Sequence, residues 1–512
     1  MSLQQTKKID SNNKYYRNPV INFDKPDVAV FREGNDYYLT GSHSTFPSLP
    51  IYHSRDLVHW ELLYYAITDP SYGVWGGAPD LLKYGDTYYL YLMNGTDGIY
   101  VMTCTDIVHG NWSAPQPLHL GPVKKEDWPE GANIDHWDYN LGFIDPGHIV
   151  GEDGKRYLFV SGGFMVGLSD DGLRVVTPPR KVYEPWPIPE DWFIEGYYIE
   201  AMSLFKRGDY FYLMAAQGGT FGPATGHMAV SMRSKSVFGP WEHSPYNPIV
   251  HADSSSDPWW CRGHATVLDD RDGNWWIIYH AEERDYRNHG RKTLLEPIVW
   301  DENGWFHVPE GMRPEQPLPM PAGEPVEENT RPSCDEFYGP ELEPQWGTLS
   351  LKAYRKDHFV FRDGGLALKA YGDSLPEGNI LALNNGDHSF QMSVELATED
   401  GAAGGMGLYL CPGCYISLEL KDGEISVCRP ARGGAYWKRQ IGAKKIRVEL
   451  TCLNNLATFR VEADGKAYHP RFDTELSTWC QDSFGMVPVH PSLFSYGTGA
   501  VVFRHFTYRN LN

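Results

Sequence analysis

DVAVFREGNDYYLTGS (27–42) holds, in order, an aspartate, an alternating strand, a Gly-Asn turn and an aromatic strand, DYYL (36–39). The aromatic strand recurs as TYYL (87–90), KRYL (155–158), YFYL (210–213) and NWWI (274–277). Each follows a glycine turn: YGD (84–86), EDGK (152–155), RGD (207–209) and DRDGN (270–274). Glycine beside Asn or Asp is what a tight hairpin requires. Further strands follow the hairpins in IYHSRDLVHW (51–60), IYVMTCTDIVHGNW (99–112) and MAVSMRSKSVFGPW (228–241), each turning through Ser/Thr, Asp or Gly to a tryptophan. That is the pattern of a third strand feeding a fourth. A repeat of roughly 50–70 residues fits four strands and a variable loop, and no long helical periodicity interrupts it. The expectation is an all-β chain whose residues 1–312 form a five-bladed β-propeller.

In such a ring the first strand of each blade lines the channel and starts at one mouth, so equivalent positions converge there. Twelve or thirteen residues back from the last letter of each aromatic strand stand Asp27, Ala78, Asp145, Glu200 and His264. A purely structural repeat has no need for acids at that position. Hydrolysis of a glycosidic bond does: one carboxylic acid protonates the leaving oxygen and one carboxylate acts on the anomeric side. In an inverting enzyme the two stand about 6.5–9.5 Å apart to admit water, a span that opposite walls of a channel provide. A third acid raises the pKa of its neighbour by like-charge repulsion.

The bulk properties set bounds around this site. A chain of 512 residues exceeds one hydrophobic core and predicts at least two domains. A net charge of −21 argues against nucleic acid and anionic membranes. No apolar run approaches the roughly 20 residues of a membrane span, and MSLQQTKKIDSNNKYYRNP has no apolar stretch typical of a signal peptide. The expected location is cytoplasmic, or secreted or periplasmic with a leader removed. The eight cysteines show no disulfide framework, and Cys411–Cys414 reads as a turn between strands rather than half a zinc site. Aromatic residues reach 14%, with 17 Trp and 32 Tyr; this favours a carbohydrate ligand only weakly, because β cores are aromatic-rich in any case.

Residues 313–333 are rich in Pro and Glu and read as a linker. Beyond them the blade pattern stops. Short alternating strands such as FQMSVELA (390–397), KIRVELT (445–451) and AVVFRHFTY (500–508), with KDG and ADG turns, predict a β-sandwich over 334–512.

Several of these stretches resemble family 43 glycoside hydrolases. NPVINFDKPDVAVFREGNDYYLTGS (18–42) is similar to the family's opening blade, FIDPGHIVGEDGKRYL (143–158) to its second acidic motif and IEAMSLFKRGDYFYLMAAQGGT (199–220) to its third. HSRDLVHW, GHATVLDDRDGNWWIIYHA and GRKTLLEPIVW also fit, so the likeness covers the whole propeller. CDEFYGPELEPQWGTLS (334–350) and FRHFTYRN (503–510) look like the concanavalin-like jelly roll appended to β-xylosidase-type members. The resemblance implies that Asp27 is the general base, Asp145 the acid that tunes and orients, and Glu200 the general acid. It also implies that Arg291 contacts hydroxyls of the terminal sugar and that His264 is placed to hold a hydrated calcium ion in the channel through water. Two departures stand out: the usual PDP is PDV (26–28), and Glu-Gly-Pro is Glu200-Ala201-Met202. Glu195-Gly196 is a second candidate for the acid, ranked lower because its register is five residues too long. Trp75 and Phe46 are candidate ring-stacking walls, with core packing as the alternative reading.

The resulting expectation is an inverting exo-glycosidase that removes terminal β-D-xylosyl or α-L-arabinofuranosyl units from plant-wall oligosaccharides, with no cofactor required. The alternatives are an endo-arabinanase or galactan-directed enzyme of the same fold, and a non-catalytic carbohydrate-binding propeller. A homo-oligomer is compatible with the sequence. The insertion DWPEGANIDHWDYN (127–140) is a candidate pocket rim.

Overall fold

A computed structural model describes residues 14–95, 98–121, 143–471, 473–480 and 485–511. Five antiparallel sheets follow in chain order, each built outward from its first strand: Ala29–Glu33, Gly77–Tyr84, Gly147–Val150, Ile199–Arg207 and Trp259–Asp269. These innermost strands lie against one another in sequence, and that of blade five touches that of blade one, so the ring is closed. The hairpin glycines Gly34, Gly85, Gly154, Gly208 and Gly273 all have positive φ, from 60° to 84°, a conformation glycine adopts without steric cost.

The period-two alternation of the aromatic strands explains the packing. Tyr37 and Leu39 point into the cluster between blades five and one, with Trp276 and Ile278. Tyr38 points the other way, toward Leu81, Leu90 and Met102 of blade two. The same division continues around the ring, giving one apolar cluster for every neighbouring pair of blades. Each fully buried Tyr or Leu adds about 1.5–3 kcal/mol through removal from water, so both faces of every blade are anchored.

The ring's closure also places the site. Residues before blade one run beside the third strand of blade five, Arg291–Trp300. The Val20 N–H donates to the Thr293 carbonyl (2.9 Å), the Lys25 N–H to the Arg291 carbonyl (2.8 Å), and the Arg291 N–H to Asp24 Oδ1 (2.8 Å). Arg291 is thereby fixed beside the start of blade one.

The second domain stacks a seven-stranded sheet on an eight-stranded one. Its core lies between them and includes Met392, Val394, Met406, Leu418, Val448 and Phe503. Cys411 pairs with Cys414 across a hairpin turn, and all eight cysteines are free. The Pro-rich segment is tied down more than its composition suggests. Leu318–Pro319 pairs with Tyr15–Tyr16, and the Ala322 N–H donates to Asp270 Oδ2 (3.0 Å). No helix among the described residues is long and apolar enough to cross a membrane.

Candidate active site

Cross-strand pairing gives the true register of the five channel positions. Val30 pairs with Leu39, Leu81 with Leu90, His148 with Leu158, Leu204 with Leu213 and Val267 with Ile277. Three residues before each first partner stand Asp27, Ala78, Asp145, Ala201 and His264. All five have left-handed backbone, with φ of 57°, 39°, 56°, 62° and 53°. Left-handed backbone is uncommon for residues with a Cβ, and its recurrence marks one shared turn at the mouth of the channel. Glu200 therefore lies one residue ahead of the repeat position rather than on it.

Asp27 is the most heavily contacted acid. Its Oδ2 accepts from Ser42 Oγ (2.5 Å), and its Oδ1 accepts from the Arg291 guanidinium (3.2 Å). Its backbone N–H donates to His280 Nδ1 (3.1 Å). His264 Nδ1 stands 3.4 Å from the same Oδ1. Burial pushes the Asp27 carboxyl up, but Arg291, His264 and Ser42 together bring it below the usual aspartate range. His264 is itself held below its ordinary value by burial, so near neutral pH the stabilisation comes from Arg291 and Ser42. Asp27 is a buried carboxylate that stays charged.

Asp145 behaves oppositely. Burial, followed by the charges of Glu200 and Asp27, pushes its carboxyl well above the ordinary range. Its Oδ2 accepts from the Ala201 N–H (2.8 Å), which ties it to the residue after Glu200. Glu200 Oε1 lies 3.6 Å from His227 Nε2, an atom with no hydrogen-bond partner. The site thus combines a carboxylate held low, a carboxyl pushed up and a glutamate close enough to the second to raise it. Such divergence between neighbouring acids is how one cleft carries acid and base chemistry together.

The remaining expected residues divide. Arg291 is buried against Asp27, its Nη2 lies 3.9 Å from Met486 Sδ of the second domain, and its Nε has no partner. Trp75 is half-buried and donates its indole N–H to the His43 carbonyl (2.8 Å). Phe46 is a correction. It has no exposed surface and packs edge-on against Trp75 (5.9 Å) and Tyr354 (5.0 Å), so it supports the wall from behind instead of forming it. Glu195 accepts from the Phe221 N–H (2.7 Å) and fastens the 218–221 loop. The 127–140 insertion lies outside the described residues.

Around His264, the ligand atoms nearest to a metal-like cluster are those of Asp27, His264 and His280. As direct ligands, one carboxylate and two imidazoles do not suit calcium, which takes six to eight oxygen ligands. His280 Nδ1 is already engaged by the Asp27 N–H, and the Arg291 cation occupies the same carboxylate oxygen.

Three residues at the site were not singled out in the sequence: Ser42, His227 and His280. Ser42 closes the TGS that follows the first aromatic strand, and His280 lies in the YHA that ends the last. Those strand ends were the available signal, because they return to the mouth where the acids begin. His227 carried none.

The fold and the converging acids define a carboxylate-bearing five-bladed propeller of the glycoside hydrolase type. The chain belongs to glycosyl hydrolases family 43, whose family model matches residues 16–306. It is 32% identical over 314 residues to a non-reducing end α-L-arabinofuranosidase of Bacteroides ovatus, covering 58% of this chain and 54% of that one. It is 29% identical over 373 residues to a xylan 1,3-β-xylosidase of a Vibrio species, covering 64% and 63%. The alignments thus span less than two thirds of either relative. Among solved structures, a family 43 protein of Bacillus licheniformis superposes with a TM-score of 0.82 at 23% identity, covering 97% of this chain and 100% of that one. The two-domain fold is shared.

Proposed function

We propose that the protein is an inverting exo-glycosidase that releases terminal β-D-xylosyl or α-L-arabinofuranosyl units from plant-wall oligosaccharides. The observation that carries this reading is the convergence of three acids in opposed surroundings: Asp27 is held low by Arg291 and Ser42, and Asp145 is pushed up by burial and by the neighbouring charge of Glu200. Asp27 takes a proton from water as that water attacks the anomeric carbon. Glu200 gives a proton to the leaving oxygen as the glycosidic bond breaks. Asp145 accepts from the Ala201 N–H and so fixes the backbone next to the acid. Arg291 holds Asp27 and has donor capacity left for a sugar hydroxyl. Met486 from the second domain borders Arg291, which favours a pocket closed at one end and hence exo action. Both named relatives support the sugar class.

The test is a panel of nitrophenyl β-D-xyloside and α-L-arabinofuranoside, followed by Asp27→Ala and Glu200→Ala. Removing a general acid or base costs about 10²–10⁴ in rate. Glu200→Ala is expected to lose less on nitrophenyl glycosides than on oligosaccharides, since nitrophenolate leaves without protonation. NMR of the first-formed sugar should show the inverted anomer; a retained anomer rules out the water-activating role of Asp27.

A further inference from the structure

The loop that leads into Glu200, PWPIPEDWFIEGYYIE (185–200), exposes more aromatic surface than any folding role requires. Phe193 is 77% exposed, Tyr197 85% and Tyr198 40%. A single exposed apolar residue is ordinary, but contiguous exposed aromatic surface marks a binding site. The loop is nonetheless firmly held. The Glu195 N–H donates to the Gly218 carbonyl (2.8 Å), its carboxylate accepts from the Phe221 N–H, and Ile194 packs on the core between blades three and four. Rings fixed on a braced backbone lose little entropy when they bind.

Beside the loop, at the seam of blades four and five, runs a groove of about 660 Å³. Trp192, Phe193, His251, Asp253, Glu310 and Arg313 are among the residues that line it. Trp192 is stacked on His251 at 4.5 Å with the planes 12° apart, and Arg313 is bridged to Asp253 (2.8 Å). The volume falls in the range of ligand sites, and aromatic faces with a few polar groups are their usual lining. Flat rings suit the C–H faces of sugars, while carboxylates and a guanidinium suit hydroxyls.

Position in the chain decides which part of a substrate this surface meets. Tyr197 is three residues before Glu200, within about 10 Å, and Phe193 is four residues further, within about 14 Å more. The loop precedes an innermost strand, so it stands at the mouth. An acid protonates the leaving oxygen, and the rest of the leaving chain extends from that oxygen on the acid's side. We infer that Tyr198, Tyr197, Phe193 and the blade four–five groove form a track for the leaving-group chain, a β-linked pentosyl backbone of several sugars. This rests on the proposed function, and it assigns the protein to substrates with long leaving chains rather than to disaccharides.

The test uses the full chain carrying Glu200→Gln, titrated calorimetrically with xylohexaose and with xylobiose; the xylan backbone is the leaving chain for either terminal sugar. Xylohexaose should bind at least about tenfold more tightly than xylobiose. Adding Phe193→Ala and Tyr197→Ala should remove about tenfold of that advantage, and Phe193→Tyr with Tyr197→Phe should retain it. Equal affinity for the two lengths, or an advantage untouched by the alanines, overturns the inference. So does gel filtration in which the alanines split a dimer while xylohexaose affinity stands, since the rings would then be a subunit contact. Cleavage of nitrophenyl glycosides by the wild-type chain is measured separately: its absence counts against the proposed function, whereas its presence with no chain-length effect counts against the track alone.

Discussion

Replacing Ser42 with alanine removes the shortest contact to Asp27, the proposed base. Ser42 Oγ donates to Asp27 Oδ2 at 2.5 Å and accepts from the Ala78 N–H at 2.8 Å. Ala78, like Ala201, is a non-ionising residue among the five mouth positions, and blade two reaches Asp27 through its backbone N–H and Ser42. A hydrogen bond to a charged group contributes about 1.5–3 kcal/mol, and one pKa unit corresponds to about 1.36 kcal/mol. Ser42→Ala should therefore raise the Asp27 pKa by about one to two units. The sign follows from the direction of its shift. A depressed carboxyl stabilises the fold above its unfolded pKa, and that stabilisation fades as pH falls through the folded value. In the variant that fading, and the acid limb of kcat/KM, should both begin at higher pH. The assay is a pH–rate profile from pH 3 to 8 on a nitrophenyl glycoside, with thermal melts at the same points. An acid limb that moves by less than about 0.3 units would refute the account. A loss of rate uniform across pH would show that Ser42 sets geometry alone.

Two other perturbations address different parts of the molecule. Asp80, on the innermost strand of blade two, is pushed up to about 7 by burial despite accepting the His148 and Leu81 N–H groups. A raised carboxyl stabilises fully below its unfolded value and loses that stabilisation as pH rises toward 7. Asp80→Asn, which keeps the acceptor, should raise Tm at pH 8 and change it little at pH 4; an equal shift at both would contradict this. Dialysis against EDTA should leave kcat/KM within about twofold, because the donor set at His264 does not suit calcium. A tenfold loss restored by calcium would show that the ion is held by other residues.

Much of the fold was legible because its signals are local. Alternation in DYYL and its successors names both faces of each blade, and a glycine turn names each hairpin. The register was legible to within one residue. Blades one, two and four turn through two residues, whereas blades three and five turn through five (Val150 pairs with Arg156 and Asp269 with Trp275). Counting letters cannot see how turn length shifts the ladder. It placed Glu200 in line with Asp27, although pairing puts Ala201 there. Phe46 was misread for a related reason: a ring near the mouth stacks on sugar or packs inward according to what lies behind it. Tyr354, over 300 residues away in sequence, decides the matter. The charge states of Asp27 and Asp145 depend on Arg291, Ser42 and the closure of blade five on blade one, none of which has a sequence period.

The second domain packs against the residues that hold Asp27. The Ser42 carbonyl, behind the hydroxyl that orients Asp27, accepts from Lys25 Nζ (2.9 Å). The same Nζ contacts His43 Nδ1 at 2.7 Å, and His43 Nε2 contacts Thr45 Oγ1 at 3.0 Å. Burial brings Lys25 down to about 7 and His43 well below its ordinary value. The far side of His43 is closed by Asn384 of the sandwich, its amide 3.3 Å from Nε2 and its Oδ1 accepting from Ser44 Oγ (3.1 Å). Nearby, Phe46 and Thr348 exchange backbone hydrogen bonds at 2.8 Å in each direction. At blade five, Lys292 donates to the Gly386 carbonyl (3.2 Å), one residue from the arginine that holds the base. The sandwich therefore backs both supports of Asp27, Ser42 and Arg291, from one side. A buried lysine and histidine left open to water on that face would regain ordinary protonation, and the Ser42 carbonyl that Lys25 holds would be free to turn.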